Sequence, residues 1–175
     1  MAGDIKLKYP AASTAVTVTN LQSLAASQTW IAGWCSAAVA NTSNVYQDYM
    51  YGGQFTSASS ARQAGSLSVW VVGALNDTPT WPATSSGTLG TEGALAFADT
   101  FRRDSLVRPL AQFTFDTTAS AIYTFPPIGI AQCFGGRVPP YHCLFIAQNL
   151  ATTTAAGLAS SGNAIYYTPI IDQYT

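Results

Sequence analysis

The chain carries one histidine, His142, and three cysteines, Cys35, Cys133 and Cys143. A single imidazole narrows the catalytic readings, because Ser-His-Asp chemistry needs that ring oriented by a carboxylate and within reach of an activated hydroxyl. No Gly-x-Ser-x-Gly elbow accompanies it. His142 heads an apolar run beside Cys143, and adjacent strand residues face opposite ways, so the spacing reads as a structural histidine. Zinc sites draw their ligands from Cys-x-x-Cys-like knuckles with a second pair, and neither spacing is present. An odd number of cysteines in a long chain implies no disulfide framework; buried thiols are expected, with a Cys133–Cys143 bridge the geometric alternative. The acidic residues Asp4, Asp48, Asp77, Glu92, Asp99, Asp104, Asp116 and Asp172 are scattered, and no pair is set out as a glycosidase would need it. Gly135-Gly136-Arg137 is followed soon by proline rather than by a phosphate-binding helix. The sequence therefore offers no catalytic residue, no cofactor site and no metal ligand set.

What remains are residues suited to contact. Arg102, Arg103 and Arg108 with Asp99 and Asp104 form the one dense charge cluster, which reads either as a solvated surface network or as a dock for an acidic partner through Arg102 and Arg103. Trp81 sits in a long Pro-rich loop. It can anchor a protein interface, stack on a sugar, or fold back on its own sheet. Residues 1–14 hold both lysines, Lys6 and Lys8, and the Tyr9-Pro10 step, with no period that would seat them in a core. They read as an N-terminal arm whose contacts are Lys6, Lys8 and Tyr9.

The composition points the same way. Of 175 residues, 9% are charged while 48% are hydrophobic and 12% aromatic, against roughly 25% charge in an ordinary globular chain. Such a surface is largely Ser, Thr, Ala, Asn and Gln, which costs little to desolvate against a neighbour. The formal charge of −1 gives no electrostatic pull toward nucleic acid or an anionic membrane. The first residues lack the apolar core of a signal peptide, and no run approaches the roughly 20 apolar residues of a membrane span. A secreted β domain has a similar composition.

The positioning elements are strands. Gly65–Leu75 alternates Leu67, Val69, Val71 and Leu75 with Ser66, Ser68, Trp70 and Val72, which predicts a central strand that begins near solvent and runs between two packed layers. Further strands are expected at Ala15–Asn20, Thr29–Ala40 (with helix the alternative there), Val45–Phe55, Ser105–Asp116, Ser120–Phe125, Tyr141–Asn149 and Ala164–Ile171. Gly52-Gly53 marks a bulge or a bend, Pro109 argues against an uninterrupted central strand, and Ala94–Phe101 is either strand or short helix. Pro126-Pro127 closes one strand, and the Gly and Pro punctuation after it fits short β elements. About eight strands without long amphipathic helices predict one all-β domain over 15–175, an antiparallel β-sandwich of jelly-roll type with long loops.

Four stretches carry a resemblance: Leu67-Ser68-Val69-Trp70-Val71-Val72-Gly73-Ala74-Leu75-Asn76-Asp77, Phe134-Gly135-Gly136-Arg137-Val138-Pro139, Leu144-Phe145-Ile146-Ala147-Gln148-Asn149 and Gly162-Asn163-Ala164-Ile165-Tyr166-Tyr167-Thr168-Pro169. From about Trp30 to its end the chain resembles small virion structural proteins of tailed bacteriophages, similar to jelly-roll capsid cement or decoration proteins. The resemblance transfers no catalytic residue. It implies a non-enzymatic protein made in the reducing host cytoplasm and carried on the capsid exterior. Its expected partners are the major capsid protein and other copies of itself, as dimer or trimer. A tail, collar or head–tail role, and a carbohydrate-binding module using Trp81 and a Tyr46–Tyr51 patch, are the alternatives.

Overall fold

In the computed structural model, residues 5–43, 45–59, 64–75, 81, 84–150 and 157–174 are described. The alternation in Gly65–Leu75 becomes strand β6, Gly65–Ala74, whose Leu67, Val69 and Val71 are buried on one face. It pairs along its whole length with β11, Tyr141–Leu150. The last residue of the expected alternation does not follow: Leu75 lies beyond the strand and is 85% exposed.

Two antiparallel sheets enclose the core. The first runs β1 (Ile5–Lys8), β12 (Ala164–Tyr174), β5 (Asp48–Thr56), β10 (Ile122–Gly129), with β2 (Thr14–Ala15) also on β12. The second contains β3 (Ala32–Cys35), β11, β6 and β9 (Arg108–Phe115), extended beyond β3 by β8 (Gly93–Phe97) and β7 (Ser85–Ser86), while β4 (Val39–Ala40) pairs with the start of β11. The chain crosses between the sheets after β2, β4, β5, β9, β10 and β11, and this winding is that of a jelly roll. Loops from four crossovers meet at one end, where the Ser23 N–H donates to the Ala159 carbonyl, Ala58 N–H to Gly157 and Ser120 N–H to Ala58.

Several elements depart from the sequence pattern, each for a local reason. Residues Ile5–Lys8 of the expected arm pair with β12, and residues 1–4 lie outside the described residues. The strand expected at Ala15–Asn20 pairs only at Thr14–Ala15, then the chain tightens into a 3₁₀ turn, Thr19–Leu21, that drops Leu21 fully into the core. Thr29–Ala40 becomes strand only from Ala32, because Trp30 adopts a left-handed φ of 61°, which a strand cannot contain, and it splits into β3 and β4 where the Ala38 N–H turns away to the Gly90 carbonyl. Val45 has φ 47° and is exposed, so β5 starts only at Asp48.

Ala94–Phe101 divides: β8 ends at Phe97 and a short helix, α1, spans Thr100–Leu106, which moves the start of the next strand from Ser105 to Arg108. The Asp99 side chain caps α1 by accepting the Arg102 N–H at 2.8 Å. Pro126-Pro127 does not end its strand; β10 continues to Gly129. Both Pro109 and this pair sit on strands at a sheet's outer end, where a missing N–H breaks no ladder. The bulge expected at Gly52-Gly53 belongs to β10, whose register slips between Phe125 and Ile128. The glycines permit close approach instead, since a Cβ on Gly53 would meet the Ala164 carbonyl oxygen at 2.0 Å.

β11 is buried on both faces. Inward, Leu144 and Ile146 join Trp34, Phe55, Phe115, Phe125 and Ile165 between the sheets. Outward, Cys143, Phe145 and Ala147 pack with Cys35, Val72, Leu95, Phe97 and Val107 in a second cluster. The excursion between β6 and β9 supplies the cover for that outer face, as the apolar turn of Trp70 and Val72 foretold. Burying one such aromatic contributes about 2–3 kcal/mol.

Candidate interaction surface

The residues with the greatest chemical potential lie inside. His142 is fully buried between the sheets, and its Nε2 is 2.9 Å from the Tyr51 hydroxyl. Tyr49 and Tyr51 meet the imidazole edge-on. Burial alone drives its pKa down to about 3, so the ring is neutral, and burial likewise pushes both tyrosines above the usual phenol range. The Tyr46–Tyr51 patch of the carbohydrate alternative is thereby corrected: period two aims Tyr49 and Tyr51 into the core.

Glu92 is spent as an acceptor. Asn20 donates to it through its backbone N–H at 2.7 Å and its amide at 2.6 Å, and the Trp34 indole N–H at 2.8 Å. Burial raises its pKa, but these three donors outweigh it and hold the carboxyl below its ordinary value. Asp48 is similarly engaged, accepting the N–H groups of Tyr49 and Ala131 at 2.8 Å. Among the described residues, no group of three or more His, Cys, Asp or Glu is placed to hold a metal ion, and no helix is long and apolar enough to cross a membrane.

The sequence-selected contact residues fall in three places. Arg102 and Arg103 lie on α1. Arg102 pairs with Asp99 at 3.0 Å and Arg103 with Asp104 at 2.7 Å. Arg103 also donates to the Thr29 carbonyl at 2.8 Å and lies 5.7 Å from the centre of the Trp70 ring, so its guanidinium ties α1 down. Trp81 is half-buried against the second cluster, its indole over Gly90; residues 76–80 and 82–83 of its loop lie outside the described residues. Lys6 and Lys8 are exposed on β1, the outermost strand of its sheet. Tyr9, just after β1, is 60% exposed and leads to the feature that sequence reasoning missed.

Between β1 and β2 the chain leaves β12, and the Tyr9 hydroxyl comes within 3.9 Å of the Met50 sulfur on β5. Beneath lies an open groove of about 550 Å³ on the outer face of the first sheet. Tyr9, Met50, Pro127 and Tyr166 give it apolar walls, while Gly52 and Gly53 lie along its β5 side. Ser13 and Thr168 bring hydroxyls to it. Tyr166 stands directly across the ladder from Gly52 and is 45% exposed. A glycine opposite an aromatic leaves the ring face open instead of packed, a signal visible in sequence only once β5 and β12 are known to pair.

The fold is thus an antiparallel β-sandwich with an aromatic-walled groove on one outer face, and no charged side chain lines that groove among the described residues. Compared with family models, curated proteins and solved structures, the chain matches none.

Proposed function

We propose that this protein works by adhesion: it is a non-enzymatic capsid decoration protein that seats on the lattice of a phage major capsid protein and reinforces the head. The observation that carries the adhesive part is the outer face of the first sheet, which no other element covers among the described residues. There Tyr9, Met50, Pro127 and Tyr166 surround a groove without a charged side chain in its lining. Neutral area of this kind desolvates at little cost, and its Tyr anchors supply contact area with few rotors to freeze. The likeness in sequence pattern to virion proteins supports the capsid lattice as the partner, and repetition over many symmetric copies multiplies a modest contact into a strong one. Purified protein added to capsids stripped of it is expected to cosediment and to raise the temperature at which they break. Capsids that neither bind it nor gain stability would end this reading.

One observation favours a second reading, a carbohydrate-binding sandwich module: Tyr9 and Tyr166 border a groove that also offers the Ser13 and Thr168 hydroxyls. Stacking of a sugar ring on tyrosine with hydroxyl partners beside it would use these groups. A glycan array separates the readings, since signal lost in Tyr166→Ala supports sugar binding and a blank array removes it.

A further inference from the structure

The second cluster contains a pair that sequence spacing does not reveal. Cys35 and Cys143 are 108 positions apart, yet their sulfurs lie 3.7 Å from one another, both fully buried. Cys35 pairs in register with Phe145, so Cys143 is its diagonal neighbour on the same outward face. The bridge anticipated as an alternative, Cys133–Cys143, is not formed; Cys133 sits elsewhere, its sulfur 3.4 Å from the Pro109 carbonyl oxygen. The Gly90 N–H donates to the Cys35 sulfur at 3.4 Å, and the Ala38 N–H donates to the Gly90 carbonyl at 2.8 Å. A single tight turn, closed by Thr91 N–H to the Thr88 carbonyl, therefore roofs the two thiols.

We infer that Cys35 and Cys143 are a redox-modification site, closing to an intramolecular disulfide that fastens β3 to β11 when the protein meets a peroxide. The sulfurs must approach by about 1.7 Å to reach bonding distance, a side-chain rotation within reach of adjacent strands. Their environments differ. Contact with the Cys143 thiol lowers the Cys35 pKa, burial opposes that shift and the Gly90 N–H adds to it; the same contact and burial raise Cys143, and the lowering from the same Gly90 N–H is too small to reverse that. Cys35 is thus the nucleophile and Cys143 the resolving thiol. In the first step, taken when local opening of the Thr88–Thr91 turn admits peroxide to the buried thiols, the Cys35 thiolate attacks one peroxide oxygen, the O–O bond breaks, hydroxide leaves and Cys35 becomes a sulfenic acid. In the second the Cys143 sulfur attacks Cys35, the S–O bond breaks and, with the thiol proton, water leaves. Two thiols lose two electrons and one hydrogen peroxide becomes two waters.

The test uses the folded Cys133→Ser protein, which removes the third thiol. After hydrogen peroxide treatment and alkylation in denaturant, the expected result is loss of both reactive thiols. The unalkylated mass falls by about 2 Da, a Cys35–Cys143 linked peptide appears, and a reductant reverses all three. Thermal unfolding of the oxidised form is expected to rise by about 5 °C or more. Thiols that stay free under peroxide that oxidises a model thiol, oxygen additions to Cys35 without a linked peptide, or links only between molecules would each overturn the inference.

Discussion

The two sheets differ most in what covers their outer faces. On the second sheet the outer face of β11 and β6 carries Phe145, Trp70 and Val72, and the excursion through β8 and α1 lays Leu95, Phe97 and Val107 over them. On the first sheet the matching face carries Met50, Gly52, Tyr166 and Thr168 around an open groove. One face is finished within the chain, and the other ends in a groove with two exposed tyrosines. Aromatic residues on a covered face are stability; on an uncovered one they are contact area awaiting a partner.

Four expectations test that contrast, in falling order of effect. Acid should act first on the layer shared by the two sheets. His142 has a folded pKa near 3, below its ordinary value near 6.5, so between those limits the unfolded chain binds a proton that the folded one refuses. Its stability contribution is complete above about pH 6.5 and falls away toward pH 3, by up to about 5 kcal/mol. Glu92, also held low, loses its contribution in the acid range below its ordinary value. Urea unfolding followed against pH checks this, and His142→Phe should flatten the dependence near pH 5.

Phe145→Ala strikes the covered face. Phe145 stacks on Trp70 and meets Phe97 edge-on, and its loss should cost about 3–5 kcal/mol in the same assay. A loss below about 1 kcal/mol would show that the cover is not packed as described. Asp99→Ala removes the cap that starts α1 and should cost about 1 kcal/mol. Tyr166→Ala, on the open face, should change stability by no more than about 0.5 kcal/mol. A cost like that of Phe145→Ala would erase the distinction between the faces.

Much of the covered face was legible in the sequence, because β6 states both of its neighbours in ten residues: Leu67, Val69 and Val71 for one layer, Trp70 and Val72 for another. The sandwich follows from strands of that kind and from the Gly and Pro between them. What was illegible depends on pairing. Trp30 delays the start of β3 through a backbone angle that its side chain gives no sign of. α1 is seven residues long, too short for a helical period to show. The contact of Cys35 with Cys143, and the meeting of Tyr9 with Met50 and Tyr166, join segments far apart in the chain, and only the register of β3 on β11 or β5 on β12 brings them together.

We propose that the protein adheres through the open face of the first sheet. The most direct measurement is cosedimentation of the wild-type chain and of Tyr166→Glu with capsids stripped of this protein. A charge at Tyr166 should leave the fold intact and strip binding away by tenfold or more, so wild type is expected in the pellet and the variant in the supernatant. Equal sedimentation of the two, or none by either, would contradict it.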